Sequence, residues 1–241
     1  MNDTINDHQS LENSPFLLVA DHASAHVPDD VPLGIDPALL KTHIALDIGV
    51  AELGEALCQR LSCPGLFGDV SRLVIDLNRE EDAPHIIPTA SDGHVIPGNA
   101  ISHAARQARI ARYWHPYHER LADQIAQQRP RLLISLHSFT PCLETAPDQA
   151  RPWQVGILYN QDDRAARIAI PLLEAHGLCV GDQQPYSGVL LNATMNRHGE
   201  ANGLAYLGLE VRQDQISDPA GVARWAALLE PVIRACAAAL N

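Results

Sequence analysis

The chain has 241 residues, 46% of them hydrophobic, which is enough to bury a sizeable core and suits one α/β domain. Against 17 lysines and arginines stand 29 acidic residues, and the formal net charge of −12 repels nucleic acid and anionic lipid, with no local basic patch to offset it. An anionic small substrate would therefore have to be met by arginines gathered in a cleft rather than by the overall field.

The 5 cysteines form no CxxC pair and no dense pattern, so neither a disulfide scaffold nor a thiolate metal site is expected, and reduced thiols in a cytoplasm are the simplest reading. No apolar run approaches the roughly 18 to 20 residues that span a bilayer, and the polar start of the chain lacks a signal pattern. The expectation is a cytoplasmic protein with a disordered leader over residues 1–14 and one domain over 15–241.

In chain order, residues 15–20 (PFLLVA) read as a buried strand that runs into the polar cluster Asp21, His22, Ala23 and Ser24. Residues 37–61 carry Leu40, Ile44, Ile48, Leu53 and Leu57 at near-helical spacing, which predicts one long helix with an interruption near Gly49. Residues 73–77 (LVIDL) look like a second strand, opening a long loop rich in Pro, Gly, Asp and His over 78–99. A helix over 103–128 precedes a third strand at 131–136, which leads straight into His137, Ser138 and Phe139. A strand at 154–159, a helix at 163–176, a strand at 205–211 and a final helix at 221–240 complete the alternation of a three-layer αβα sheet.

His22 and His137 each follow an apolar strand, so both imidazoles can sit at one sheet edge and face a common cleft. Two histidine nitrogens and a carboxylate oxygen are a standard set for a catalytic zinc, and Asp47, Asp21 and Glu210 are the candidate carboxylates. A histidine at a strand end is, taken singly, more often a structural residue. Arg72 and Arg79 bracket the 73–77 run with Asn78 beside the second, and arginine's rigid fork of donors suits bidentate binding of a carboxylate. Glu210 stands inside the apolar run LGLEVR. A buried carboxyl there tends toward a raised pKa and can exchange protons with water, unless it is simply paired with Arg212. His85, His94, His103 and His198 read as loop or surface residues.

The segments DHAS at Asp21, HIALDIG at His43, SRLVIDLNR at Ser71, SDGHVIPGN at Ser91, SLHSFTP at Ser135 and LEVRQD at Leu209 occur in that order. Together with Trp114-His115-Pro116-Tyr117-His118 and Pro185-Tyr186-Ser187-Gly188, they resemble the N-formylglutamate amidohydrolase family from Pro15 to Ile216. A more distant similarity runs to the aspartoacylases and zinc carboxypeptidases, and it implies a central mixed β-sheet between helices in a phosphorylase/hydrolase-like fold.

The resemblance implies one Zn2+ per chain, or another divalent ion, with His22 and His137 as ligands. It further implies Arg72 as a carbonyl-polarising group, Asn78 and Arg79 as the clamp for a substrate α-carboxylate, and Glu210 as general acid/base. The implied reaction is hydrolysis of N-formyl-L-glutamate to formate and glutamate, a step of histidine degradation, and Arg212 is a candidate for the second carboxylate. The distant relatives take a carboxylate ligand three residues after the first histidine, where this chain has Ala25. Asp47 is therefore expected as the third ligand, with His43 either orienting it or lining the pocket and with Asp21 as the alternative ligand; His26 departs from the expected asparagine at the pocket rim. Other N-acyl amino acids or peptide C-termini would suit the same chemistry. The missing glutamate leaves open a metal-free carboxylate-binding protein, whereas a serine hydrolase lacks its GxSxG elbow.

Overall fold

The apolar strands sort their side chains by parity. Along β2 (Phe16–Ala20), Phe16, Leu18 and Ala20 pack on one face of the sheet and Leu17 and Val19 on the other, all buried. The same split recurs in β6 (Leu132–Phe139), where Leu132, Ile134 and Leu136 face one core and Leu133 the other. A strand buried on both faces must be covered on both, and the computed structural model, which describes residues 7–8 and 14–240, shows two helical layers doing so.

Beside β2 and β6, the sheet contains β1 (Asp7–His8), β3 (Gly65–Phe67), β7 (Val155–Leu158), β8 (Val180–Asp182) and β9 (Tyr206–Arg212), in the order β1-β3-β2-β6-β9-β7-β8. The central strands β3, β2, β6 and β9 are parallel, while β1 and β7 run antiparallel to their neighbours β3 and β9. One face is covered by α1 (Val50–Leu61), α4 (Arg164–Ala175) and α6 (Pro219–Ala239). The other is covered by α3 (His115–Gln128), the segment before α1 and the buried run 73–77. The expected mixed αβα fold is thus present. No helix among the described residues is long and apolar enough to cross a membrane.

Several elements differ from the sequence reading. Residues 73–77 are buried but form turns, not a strand, because their carbonyls are taken by side chains. Asn99 donates to Leu73 O at 2.7 Å, Arg109 to Val74 O at 3.2 Å and His118 to Leu77 O at 3.0 Å. The long helix predicted over 37–61 is a short 3-10 turn at Pro37–Lys41 followed, after turns, by α1. Gly49 caps α1 in a left-handed conformation, and a Cβ there would lie 2.3 Å from Ile216 O.

The helix over 103–128 does form, but α2 (His103–Arg109) and α3 are joined by a π-turn at Ile110–Trp114. Strands β3 and β8 and the short helix α5 (Ala193–His198) had no sequence expectation. The 78–99 loop contains a small hairpin of β4 (Ala90–Ser91) and β5 (His94–Val95). Of the expected disordered leader, Asp7 and His8 pair with β3, and residues 1–6 and 9–13 lie outside the described residues.

Candidate active site

Parallel strands end on one side of a sheet, and the turns beyond them gather there. His22 is the second residue after β2. His137 lies inside β6 rather than after it, and its backbone partner in register on β9 is Glu210. Paired residues on adjacent strands project to the same face, so the His137 imidazole and the Glu210 carboxyl stand side by side. Beneath them the register pair is Ser135 and Gly208, and a Cβ on Gly208 would fall 2.5 Å from Leu158 O.

Asp47 arrives from the turn before α1, tied to the end of β2 by its own N–H donating to His22 O at 3.0 Å. Its Oδ2 lies 3.3 Å from His22 Nδ1 and 2.9 Å from His137 Nδ1, and the two imidazole centroids are 5.0 Å apart. His22, Asp47 and His137 are all buried, and each offers one ligand atom within 4.8 Å of the others.

Each ring is backed on its far side by another carboxylate: Asp76 Oδ1 at 2.7 Å from His22 Nε2 and Asp21 Oδ2 at 3.3 Å from His137 Nε2. Asp21 therefore sits behind His137. Its Oδ1 accepts from Tyr117 Oη at 2.8 Å and Thr194 Oγ1 at 2.9 Å. This is the pattern of a histidine–metal site with outer carboxylates that fix ring orientation, and two imidazole nitrogens with one carboxylate oxygen suit zinc. The donor set thus fits the expected metal, with Asp47 in the ligand position and Asp21 outside it.

The electrostatics agree with a site built for positive charge. Burial and the Arg72 charge press the His22 imidazole toward neutrality, but Asp76 and Asp47 outweigh them and raise its pKa. His137 is raised further: burial opposes the shift, and hydrogen bonds to Asp21 and Asp47 overcome it. Burial would likewise raise Asp47, yet the His22 charge and its hydrogen-bonded neighbours hold it far below the usual carboxylate range.

Glu210 goes the other way. Burial lifts its carboxyl, the His137 charge pulls it back, Asp47 adds to the rise, and the balance lies at about 7. Its Oε2 is buried with no hydrogen-bond partner, an arrangement that costs energy unless a ligand or water completes it. A carboxyl that titrates near neutrality and lines the same cleft as His22, Asp47 and His137 can accept and return a proton.

Arg72 spans two acids, with Nη1 donating to Asp47 Oδ1 at 3.1 Å and Nη2 to Asp76 Oδ2 at 2.9 Å. Asn78 is oriented by Thr194 N–H, which donates to its Oδ1 at 3.0 Å and leaves Nδ2 3.5 Å from His137 Nε2. Arg79 reaches Asp76 only at 3.7 Å and stays partly exposed. These residues line one cleft of ≈ 280 Å³ with His22, Asp47, His137 and Glu210, room for a molecule of amino-acid size. Of the two expected roles, His43 takes the lining one: it faces the cleft and pairs with Asp92 at 2.9 Å rather than with Asp47. Asp92 also accepts from Glu144 N–H and Thr145 N–H, joining the 78–99 segment to the loop after β6.

Arg212 is not among the lining residues. Its guanidinium grips Asp214 at 2.7 and 3.1 Å and donates to Arg151 O at 3.1 Å, which is inconsistent with a role toward a second substrate carboxylate. Nor does Arg212 pair with Glu210. His198, expected at the surface, is buried against His118, with 2.9 Å between His118 Nδ1 and His198 Nε2.

Sequence reasoning gave no role to Asp76, Tyr117, Thr194 or Tyr186, although Asp76, Tyr117 and Tyr186 fall within its quoted segments. Tyr186 lines the cleft, and its hydroxyl accepts from Arg151 at 2.9 Å. Thr194 carried no signal, because its helix α5 was not foreseen.

No curated protein matches the chain. A crystal structure of a gene product from Agrobacterium tumefaciens superposes with a TM-score of 0.92 at 27% identity, covering 98% of this chain and 96% of that one. The crystal structure of an N-formylglutamate amidohydrolase from Ralstonia eutropha JMP134 shares the fold, with a TM-score of 0.71, 19% identity and coverage of 98% and 97%. The family model of N-formylglutamate amidohydrolase matches residues 14–217, which is most of the chain and includes every segment that builds the cleft. The chain belongs to the N-formylglutamate amidohydrolase family.

Proposed function

We propose that the protein hydrolyses the amide bond of N-formyl-L-glutamate, releasing formate and glutamate, with a zinc ion held by His22, Asp47 and His137. The observation that carries this reading is the convergence of His22 Nδ1, His137 Nδ1 and Asp47 Oδ2 beside the unpartnered Glu210 carboxylate, in a cleft that also presents Asn78 and Arg79. When bound, zinc supplies Lewis-acid activation of water and of the acyl carbonyl. Arg79 and the Asn78 amide hold the substrate α-carboxylate and so orient the scissile bond. Glu210 takes a proton from the attacking water and delivers it to the departing nitrogen, so the amide and one water become a carboxylic acid and an amine. The Arg72 guanidinium adds positive potential where negative charge develops on the acyl oxygen. Asp76 and Asp21 keep the two imidazoles oriented throughout. The protein acts in the cytoplasm on this reading.

The test is elemental analysis of the purified protein together with formate release from N-formyl-L-glutamate, beside N-acetyl-L-glutamate, other N-formyl amino acids and a dipeptide. About one zinc per chain with preference for the N-formyl compound supports the proposal. A folded protein that takes up no metal when zinc is added would replace it with a carboxylate-binding function, and preference for another acyl group would redefine the substrate.

A further inference from the structure

The segment Trp114-His115-Pro116-Tyr117-His118 plays no part in the chemistry above, yet its spacing is not idle. Positions 114, 117 and 118 share one helical face, and each carries a ring with a polar tip. All three tips donate hydrogen bonds toward the cleft. Trp114 Nε1–H donates to Arg79 O at 3.0 Å, His118 Nε2–H to Leu77 O at 3.0 Å, and Tyr117 Oη–H to Asp21 at 2.8 Å. The carbonyls on both sides of Asn78 are thus fixed from one helix face. The same face fixes the carboxylate behind His137.

The surroundings hold that face rigid. With its Nε2 proton given to Leu77, His118 accepts at Nδ1 from His198 Nε2–H at 2.9 Å, and the two rings are stacked 6° from parallel. Burial depresses the pKa of both imidazoles to about 4, which keeps the pair neutral and its donor directions unchanged near neutral pH. Arg197 lies over the Trp114 ring at 4.5 Å. The preceding π-turn lets His115 N–H bond to Ile110 O and accommodates Pro116, which has no N–H for a regular helical bond.

We infer that Trp114, Tyr117 and His118 form a positioning platform, setting the substrate clamp at Asn78 and Arg79 at a fixed distance and angle from His137. The platform touches neither substrate nor metal. It acts through Asp21 and through the backbone of residues 77–79, which pairs with no strand among the described residues. Loss of a donor from Trp114 or His118 lets the clamp wander and weakens ground-state binding, whereas loss of the Tyr117 hydroxyl acts on the histidine side. The inference rests on the proposed clamp role of Arg79.

Trp114→Phe keeps a ring for Arg197 but removes the donor. His118→Phe likewise keeps a ring in place but removes its donor, and His118→Gln restores an N–H at similar reach. KM for N-formyl-L-glutamate and Kd for L-glutamate by calorimetry should rise about tenfold in Trp114→Phe and His118→Phe. They should stay within about threefold of wild type in His118→Gln, with kcat and zinc content little changed in all three. Tyr117→Phe should leave KM unchanged and lose zinc more readily to a chelator.

Arg79→Lys is the control. If it raises KM and Kd while Trp114→Phe and His118→Phe do not, below their melting temperatures, the platform is refuted and the clamp stands. If Arg79→Lys changes neither, or wild type binds no glutamate, the clamp reading falls and the platform with it. Should the His118 variants fail to fold, Trp114→Phe carries the same decision alone.

Discussion

Replacing Glu210 with glutamine separates the chemical role of this carboxyl from its structural cost. The side chains have the same shape, and Glu210 Oε2 has no hydrogen-bond partner to lose, so the substitution removes proton exchange and charge with little else. General acid–base catalysis contributes about 10² to 10⁴ in rate, or roughly 3 to 5 kcal/mol of barrier, and kcat should fall by that factor while KM and zinc content change little.

Stability should move in the opposite direction. The folded carboxyl titrates at about 7 against an ordinary 4.5, so between those values the unfolded chain releases a proton that the folded chain keeps. Metal-free wild type therefore loses stability as pH rises through this window. The loss reaches about 3 kcal/mol above pH ~7, and an uncharged glutamine escapes it. Urea unfolding of the metal-free proteins at about pH 5 and pH 8 should show near-equal stability at the lower pH and a more stable Glu210→Gln at the higher. Retained turnover in Glu210→Gln would remove this residue from catalysis, and a less stable variant at the higher pH would refute the assigned electrostatics.

Four further outcomes are expected. Asp47→Ala should abolish stoichiometric zinc binding and formate release. It should also lower Tm, since it leaves His22, His137 and Arg72 facing one another without the carboxylate they share, as elemental analysis and calorimetry would show. In the wild type, zinc must displace protons from imidazoles that neighbouring carboxylates hold toward the charged form. Its affinity should drop by up to about 100-fold for each pH unit of acidification below those pKa values, a slope that competition with a chelator measures.

The buried His118–His198 pair should make the fold acid-sensitive. Both imidazoles titrate near 4 when folded against an ordinary 6.5, so stability is full above about 6.5 and declines as pH falls toward 4, by at most about 3 kcal/mol per ring. His198→Leu should flatten that pH slope in chemical denaturation. Arg212→Lys should leave KM for glutamate derivatives unchanged, because this guanidinium is occupied by Asp214 outside the cleft; a raised KM would return Arg212 to the site.

Much of this molecule is legible in its sequence because strand and helix periodicity are local properties. Residues 15–20, 131–136, 154–159 and 205–211 announce strands through their apolar runs, and the helices at 163–176 and 221–240 through their spacing. The ordered motifs also bring forward His22, Asp47, Arg72, Asn78, Arg79, His137 and Glu210, all of which line one cleft.

The run LVIDL at 73–77 misleads because a short apolar segment satisfies strand and buried-turn readings equally. What decides is whether its carbonyls meet another strand or the side chains of Asn99, Arg109 and His118, which lie 26 to 41 residues away. On paper Asp47 is the expected carboxylate and Asp21 the alternative. Only packing sets Asp47 between the two imidazole Nδ1 atoms and turns Asp21 to the far side of His137. The sequence alone therefore determined the order of elements and the chemical alphabet of the site. The tertiary structure decided which of those groups share a proton, which stand behind them and which, like Arg212, face elsewhere, because direction and distance between remote side chains are settled only when the sheet and its turns close around them.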